Sequence, residues 1–393
     1  MLTIMTVAGW LIAVAAAFPL LIFSLELLAG IWPSARARTP EVSARAAVLI
    51  PAHDEAAGIA ITLDTLRRSI PLGTRVVVVA DNCTDETAAH ASAAGAEVVE
   101  RHDGSRRGKG FALAHGRDYL ATNDPPEVVL VLDADCRFEP GSVELLCEAA
   151  LRSGRAVQAV NFCDADLAAR PMIQISNFAM VVKNLYRSRG MQRLGGPGLL
   201  TGTGMAFPWA IYKDAPLATG SIVEDLELGV AQTRLGKPPL LVDRAQVRSK
   251  AATGEAALQQ RRRWEHGFLD TLRRQALPVL IGGLRRGSRR ETLLGLHLSV
   301  PPLALLVMLA VMALVLNAIL MGFGNGPAAF TGLAIILALA LTLVLCAWLV
   351  GGRPFLTGRA VLAAPFYLLW KLPLYASFLR RPQAAWNRTT RQP

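Results

Sequence analysis

The residues best placed to do chemistry in this chain are carboxylates. Asp133-Ala134-Asp135 closes an apolar run over 128–132. Two carboxylates one residue apart at the end of a buried strand are costly unless positive charge offsets them. A divalent cation bridging a nucleotide diphosphate supplies such charge, and oxygen donors suit Mg2+ or Mn2+. The plain alternative is a strand followed by an Asx turn. Asp54-Glu55 and Asp81-Asn82 end two earlier apolar runs in the same way, and Asp81-Asn82 is equally consistent with turn chemistry. Gly108-Lys109-Gly110 sits at a helix start, where a lysine and free N–H groups can meet phosphate, although the spacing of a P-loop is absent. Gly202-Thr203-Gly204-Met205 is either a turn that lets backbone approach a ligand closely or a simple hairpin. Val223-Glu224-Asp225-Leu226-Glu227 opens a helix, where acids are favoured as caps. A transferase that activates a hydroxyl also needs one carboxylate as general base. Gln260-Arg261-Arg262-Arg263-Trp264 offers amide, cationic and stacking groups on a basic amphipathic segment, which as a bare charge run is an interfacial helix.

The elements that must position these groups alternate. Short apolar strands are expected over 46–50, 75–80, 96–100 and 127–132, with helices between them, one of them carrying 111–120. Continuous apolar strands alternating with helices predict a mostly parallel sheet covered on both faces. The carboxyl ends of parallel strands share an edge, so the acidic clusters would converge on one crevice.

Around this α/β centre the composition changes. The 393 residues are 52% hydrophobic, with the apolar residues concentrated at the two ends. The run 6–32 is broken only by Glu26, lacks a preceding basic region and a cleavage site, and reads as a transmembrane helix. Runs over 296–323 and 328–350 are also of spanning length. A fourth, 355–379, is interrupted by Arg359, Pro365, Lys371 and Pro373 and is expected to lie in the interface or to re-enter. The net charge of +11 comes largely from arginines beside these runs: Arg36 and Arg38, then Arg261 through Arg290, then Arg380 onward. That pattern predicts a cytoplasmic middle and tail facing anionic lipid, with no nucleic acid as partner. The expected division is an N-terminal membrane helix (1–35), a cytoplasmic catalytic domain (36–255), basic interfacial helices (256–292), and a membrane hairpin with a further segment and basic tail (293–393). None of the five cysteines has a CxxC or zinc spacing and the six histidines show no HxxxH, so buried, reduced thiols and no transition-metal site are expected.

In their order, Pro51-Ala52-His53-Asp54-Glu55, Asp81, Gly108-Lys109, Asp133-Ala134-Asp135, Glu224-Asp225 and Gln260-Arg261-Arg262-Arg263-Trp264 resemble the membrane-bound family 2 glycosyltransferases. That group includes cellulose, chitin and hyaluronan synthases and ceramide glucosyltransferase-like enzymes. The resemblance spans about 46–264 and implies a GT-A fold with inverting, metal-dependent transfer from a nucleotide sugar, usually a UDP-sugar. It implies that Ala52, Glu55 and Asp81 hold the uridine and that Lys109 approaches the nucleotide or its phosphate. Asp133 and Asp135 would bind the diphosphate and its Mg2+ or Mn2+, and Asp225, beside Glu224, would be the base. Gln260, Arg263 and Trp264 would hold acceptor and pyrophosphate. The chain departs from the family at Asp54, more often asparagine, and at Gly202-Thr203-Gly204, where many synthases carry a cysteine. Three or four spans are few for a product channel. Single transfer to a lipid-linked or membrane-proximal glycan acceptor in cell-envelope or exopolysaccharide assembly is therefore expected. A processive synthase acting as an oligomer is the alternative. A non-catalytic nucleotide-sugar sensor is disfavoured because Asp135, Asp225 and Arg263 are intact.

Overall fold

The computed structural model describes residues 2–34, 44–221, 223–249 and 254–380, the side chains of 2, 3, 254–261, 263, 379 and 380 lying outside that description. The described residues form two compact units, one from 2–33, 165–196 and 268–380, the other from the described residues between 34 and 164 and between 197 and 267.

The second unit is a mixed α/β sheet of eight strands. These are β1 (Ala46–Ala52), β2 (Arg75–Asp81), β3 (Glu97–Arg101), β4 (Val128–Val131), β5 (Cys136–Phe138), β6 (Val157–Cys163), β7 (Met205–Pro208) and β8 (Leu240–Ser249), in the order β3-β2-β1-β4-β7-β6-β8-β5. The half from β3 to β4 is wholly parallel. β1 and β4 are apolar throughout, and β2 is apolar between Arg75 and Asp81, because both faces are covered; the edge strand β3 is partly exposed and carries Glu97, Glu100 and Arg101. Val48, Ile50, Val78 and Leu130 pack into one core, and Leu49, Val77, Val79, Val129 and Val131 into the other.

The sequence pattern anticipates these four strands but not β5 to β8. β7 runs antiparallel to both β4 and β6, and β5 antiparallel to β8, so the parallel character holds for only part of the sheet. The physical reason is length. β5 and β7 have only three and four residues, too few to show a period, and the apolar run of β6 is broken by Gln158 and Asn161.

The helix Lys109–Thr122 packs against β1 and β2 through glycine. A Cβ at Gly116 would stand 2.5 Å from Leu49 Cδ1 and 2.8 Å from Val79 Cγ2. At the helix start, a Cβ on Gly110 would lie 2.3 Å from the Leu217 carbonyl oxygen, a backbone atom that cannot swing aside.

Among the described residues, the first unit holds three helices long and apolar enough to cross a membrane: Ile4–Gly30, Leu303–Gly322 and Ala328–Gly352. They match the first three runs read from sequence. The fourth forms a 17-residue helix, Ala364–Arg380, that contains Pro373 and buries Lys371, and it is not among the three. The one acid of the first run is fully matched inside this unit. Glu26 receives Arg187 Nε at 2.8 Å and faces His297 Nδ1 at 2.7 Å, all three buried. An intramembrane charge persists only with such partners.

In an ordinary helix interior Gly→Ala stabilises by about 0.5–1 kcal/mol. At Gly110 the clash with backbone reverses the sign. Gly110→Ala is expected to destabilise by about 1–3 kcal/mol, the usual cost of overpacking, and so to lower the Tm. Gly58→Ala is the control, since nothing lies within 4 Å of its added Cβ. A Tm of Gly110→Ala equal to wild type would contradict this packing.

Candidate active site

Strands β1, β2 and β4 run parallel side by side, so Asp54, Asp81 and Asp133 lie at or just beyond their ends on one edge. Asp133 follows Leu132 directly beyond β4. Its amide donates to Thr203 Oγ1 at 3.1 Å, and its carbonyl accepts from Cys136 N at 3.0 Å, which turns the chain back into β5. The Ala134 carbonyl accepts from Thr62 Oγ1 at 2.7 Å. These bonds hold Asp133 and Asp135 on the same side of the turn, both half-buried.

Lys109 is the cation at the centre. Gly108, at φ 131°, breaks the backbone just before the helix, a conformation that favours glycine. From the first helical position, Lys109 Nζ reaches Asp133 Oδ1 at 2.5 Å and the Gly202 carbonyl at 2.6 Å. On the far side of Gly202 lies Asp225. A Cβ placed on Gly202 would stand 3.1 Å from Asp225 Oδ2 and 3.3 Å from Lys109 Nζ. Gly202 is therefore the narrow floor between base candidate and ammonium, and its φ of 83° also selects glycine. Burial by itself would lower the lysine's pKa. The carboxylates of Asp133, Glu224 and Asp225 outweigh it and hold the ammonium raised, so Lys109 is charged at any physiological pH.

Glu224 and Asp225 occupy the first turn of the helix Glu224–Arg234, where unpaired amides favour negative charge. Leu226 N donates to Asp225 Oδ1 at 2.8 Å. Beneath them lies a pocket with apolar walls, lined by Leu113, Val131, Met205, Phe207, Tyr212 and Leu228. Burial, then the neighbouring Asp225, pushes Glu224 up to about 7, with Lys109 pulling in the other direction.

The expected uridine-side residues form a second group. Ala52 is buried at the end of β1. Glu55 N donates to Thr87 Oγ1 at 2.7 Å. Asp81 is 7% exposed and accepts from Arg101 Nη1 at 2.5 Å and Asn82 Nδ2 at 3.0 Å. Arg101 also binds Asp103 and the Arg106 carbonyl, so the Asp81 carboxylate is fixed at the strand end.

On the basic helix Gly254–Thr271, Trp264 is 37% exposed. Gln260 and Arg263 fall on the same helix, and their side chains lie outside the described residues.

The donor set of Asp133 and Asp135 fits a hard divalent cation. Cys136 Sγ lies 3.5 Å from Asp135 Oδ1, but burial, and then Asp135, holds that thiol well above its usual range. Carboxylate oxygens are left as the ligands, the type that Mg2+ and Mn2+ prefer.

Several supporting residues were not anticipated from sequence. Gln158, buried within β6, donates from Nε2 to the Thr203 carbonyl at 2.8 Å and accepts from Thr201 N at 2.9 Å, so it shapes the turn that carries Gly202. An amide interrupting an apolar strand was the available signal. Arg101 could have been suspected as the cation ending a strand beside Asp81. Thr203 carried no signal apart from its place between two glycines.

This chain belongs to the glycosyltransferase-like family 2, whose model matches residues 44–267. Among solved structures it is similar to a mannosyltransferase from Pyrobaculum calidifontis in complex with GDP-Man and Mn2+. That likeness has 18% identity and a TM-score of 0.56, and covers 94% of this chain and 99% of that one. It is also similar to glucosyl-3-phosphoglycerate synthase from Mycobacterium tuberculosis, at 20% identity and a TM-score of 0.40, over 58% of this chain and 81% of that one. No curated protein sequence matches. At 18% identity the likeness to the mannosyltransferase establishes the fold alone, which is that of GT-A glycosyltransferases.

The raised Glu224 predicts a pH effect on stability. An acid whose pKa is about 7 when folded and near 4.5 when unfolded binds more protons in the folded state between those values. Stability should therefore fall as pH rises through that window. Glu224→Gln removes the titration, so its Tm should decline less than that of wild type over the same range. Parallel Tm–pH curves for the two proteins would contradict the burial of this acid.

Proposed function

We propose that this chain is an inverting, metal-dependent hexosyltransferase that moves one sugar from a nucleotide sugar, with UDP as the carrier, to a lipid-linked or membrane-proximal acceptor. The observation that carries the reading is the sharing of Lys109 between the two halves of the site. It touches Asp133 directly and stands across Gly202 from Asp225. A general base and a diphosphate-holding group must lie a few ångströms apart for one transfer to use both.

In this reading Asp225 takes the proton of the acceptor hydroxyl as its oxygen attacks the anomeric carbon. The bond from that carbon to the diphosphate breaks on the opposite face, which inverts the centre. Lys109 keeps Asp133 in place and contributes fixed positive charge where the leaving group gains negative charge. Asp133 and Asp135 would hold a divalent cation, which when bound would neutralise charge developing on the leaving diphosphate. The mannosyltransferase that shares the fold was solved with a nucleotide sugar and Mn2+, which supports this choice of cofactor. Asp81, Ala52 and Glu55 hold the base and ribose. Gln260, Arg263 and Trp264 serve acceptor and pyrophosphate.

Three candidate spans support a membrane location, with the α/β unit on the cytoplasmic side by the arginine pattern. Few spans favour a single transfer over threading a polymer, in envelope or exopolysaccharide assembly. Basic residues over 261–290 then face anionic lipid.

Asp225→Asn is expected to lower kcat for sugar transfer by about 10²–10⁴-fold, the usual worth of a general base, while leaving nucleotide affinity near wild type. Full transfer activity in that variant would remove Asp225 from this role. With radiolabelled donor and native membranes, the product should carry one added sugar. A ladder or high polymer would instead identify a processive synthase.

A further inference from the structure

The pocket beneath the first turn of the helix Glu224–Arg234 has three polar residues on its walls, Tyr212, Glu224 and Asp225, and is otherwise apolar. Tyr212 is wholly buried, and its hydroxyl oxygen meets no hydrogen-bond partner among the described residues. A buried hydroxyl left in that state is costly, and protein interiors satisfy such groups with protein atoms or with ordered water. The ring is held in place by aromatic neighbours, its centroid 5.3 Å from that of Phe207 and 6.5 Å from that of Trp209. Burial pushes the phenol pKa up, so the hydroxyl keeps its proton and acts as a donor.

The pocket has room for about one water molecule, and none for a sugar or an acyl chain. Its acceptor follows from the contacts of the two acids. Asp225 accepts from Leu226 N through Oδ1 at 2.8 Å and turns Oδ2 toward Gly202. The Glu224 carboxyl is then the acceptor that shares the pocket with the phenol. A hydrogen bond donated to a carboxylate favours its charged form, which opposes the burial that raises Glu224. The charged groups that face Glu224 are Asp225, Lys109 and Asp133, and none of them lies on the short helix Trp209–Tyr212.

We propose that one ordered water occupies this pocket, accepting a hydrogen bond from the Tyr212 hydroxyl and donating one to Glu224, so that Tyr212 is a positioning residue for the first helical turn and for the aim of Asp225. The role in transfer rests on the reading of Asp225 as the base. The bridge between Tyr212 and Glu224 does not.

The test uses the full-length protein in detergent with chelator present, and follows Tm from mildly acidic to mildly alkaline pH. Tyr212→Phe keeps the ring and removes only the hydroxyl. With its donor gone, Glu224 holds its proton to higher pH, so the decline in Tm should extend about one pH unit further than in wild type. In a Glu224→Gln background, adding Tyr212→Phe should leave the shape of the curve unchanged. With metal and substrates restored, Tyr212→Phe should lower kcat about ten-fold and leave the donor KM near wild type. A Tyr212→Phe curve parallel to wild type, the same extension persisting in the Glu224→Gln background, or an unchanged kcat overturns the proposal. The Tm series contains no substrate, so it reads the link between Tyr212 and Glu224 even if Asp225→Asn shows that another group is the base.

Discussion

Four carboxylates, those of Asp133, Asp135, Glu224 and Asp225, gather at one edge of a sheet whose interior is apolar, and Lys109 is the cation that lets them do so. Its ammonium meets Asp133 at 2.5 Å and carries the fields of Glu224 and Asp225 as well. At such distances in a half-buried site, each attraction greatly exceeds its value in water. One lysine does not balance four acids. Glu224 answers by holding its proton up to about 7, and the two oxygen-bearing aspartates answer by offering a place for a divalent cation. Burial first, and then the neighbouring Asp225, raises the Glu224 pKa, and the same gathering of negative charge favours a cation at Asp133 and Asp135.

Geometry makes the arrangement possible at atomic scale. Lys109 can reach Asp133 because Gly108 turns the backbone through φ 131° just before the helix, and the helix can sit low because Gly110 and Gly116 have no side chain to hold it off. Gly202 plays the complementary part, since any Cβ would push between Lys109 and Asp225. The turn that carries it is not left to itself: Gln158 bonds both to Thr201 and to Thr203 from inside β6. Strand ends, glycines and one buried amide thus place charges that the sheet alone would not bring together.

The parallel half of this sheet was legible in the sequence because Val and Ile run unbroken through strands buried on both faces. The acidic strand ends were legible too, and so were the three long apolar helices. What escaped reading depends on contacts far apart in the chain. Short β5 and β7 have no period to detect, and β7 enters antiparallel, which local pattern does not encode. Residues 165–196, read with the middle of the chain, belong to the unit that holds the long apolar helices. Lys109 drew notice as a phosphate ligand at a helix start, whereas its partners are Asp133 and the Gly202 carbonyl. Cysteine and histidine spacing suggested no grouping, yet β1 and β2 bring His53 and Cys83 together across a separation that no short motif describes. Sequence patterns report which residues are buried or turning; charge partners emerge only once the strand order is known.

The central claim is that Asp133 and Asp135 hold a divalent cation together with a nucleotide diphosphate, against the background charge set by Lys109. Mn2+ binding to the full-length protein, followed by electron paramagnetic resonance with and without UDP, tests this most directly. The account predicts weak Mn2+ binding alone, marked tightening when UDP is added, and loss of the UDP-dependent part in Asp135→Asn. Mn2+ binding that ignores UDP, or that is unchanged in Asp135→Asn, would contradict it.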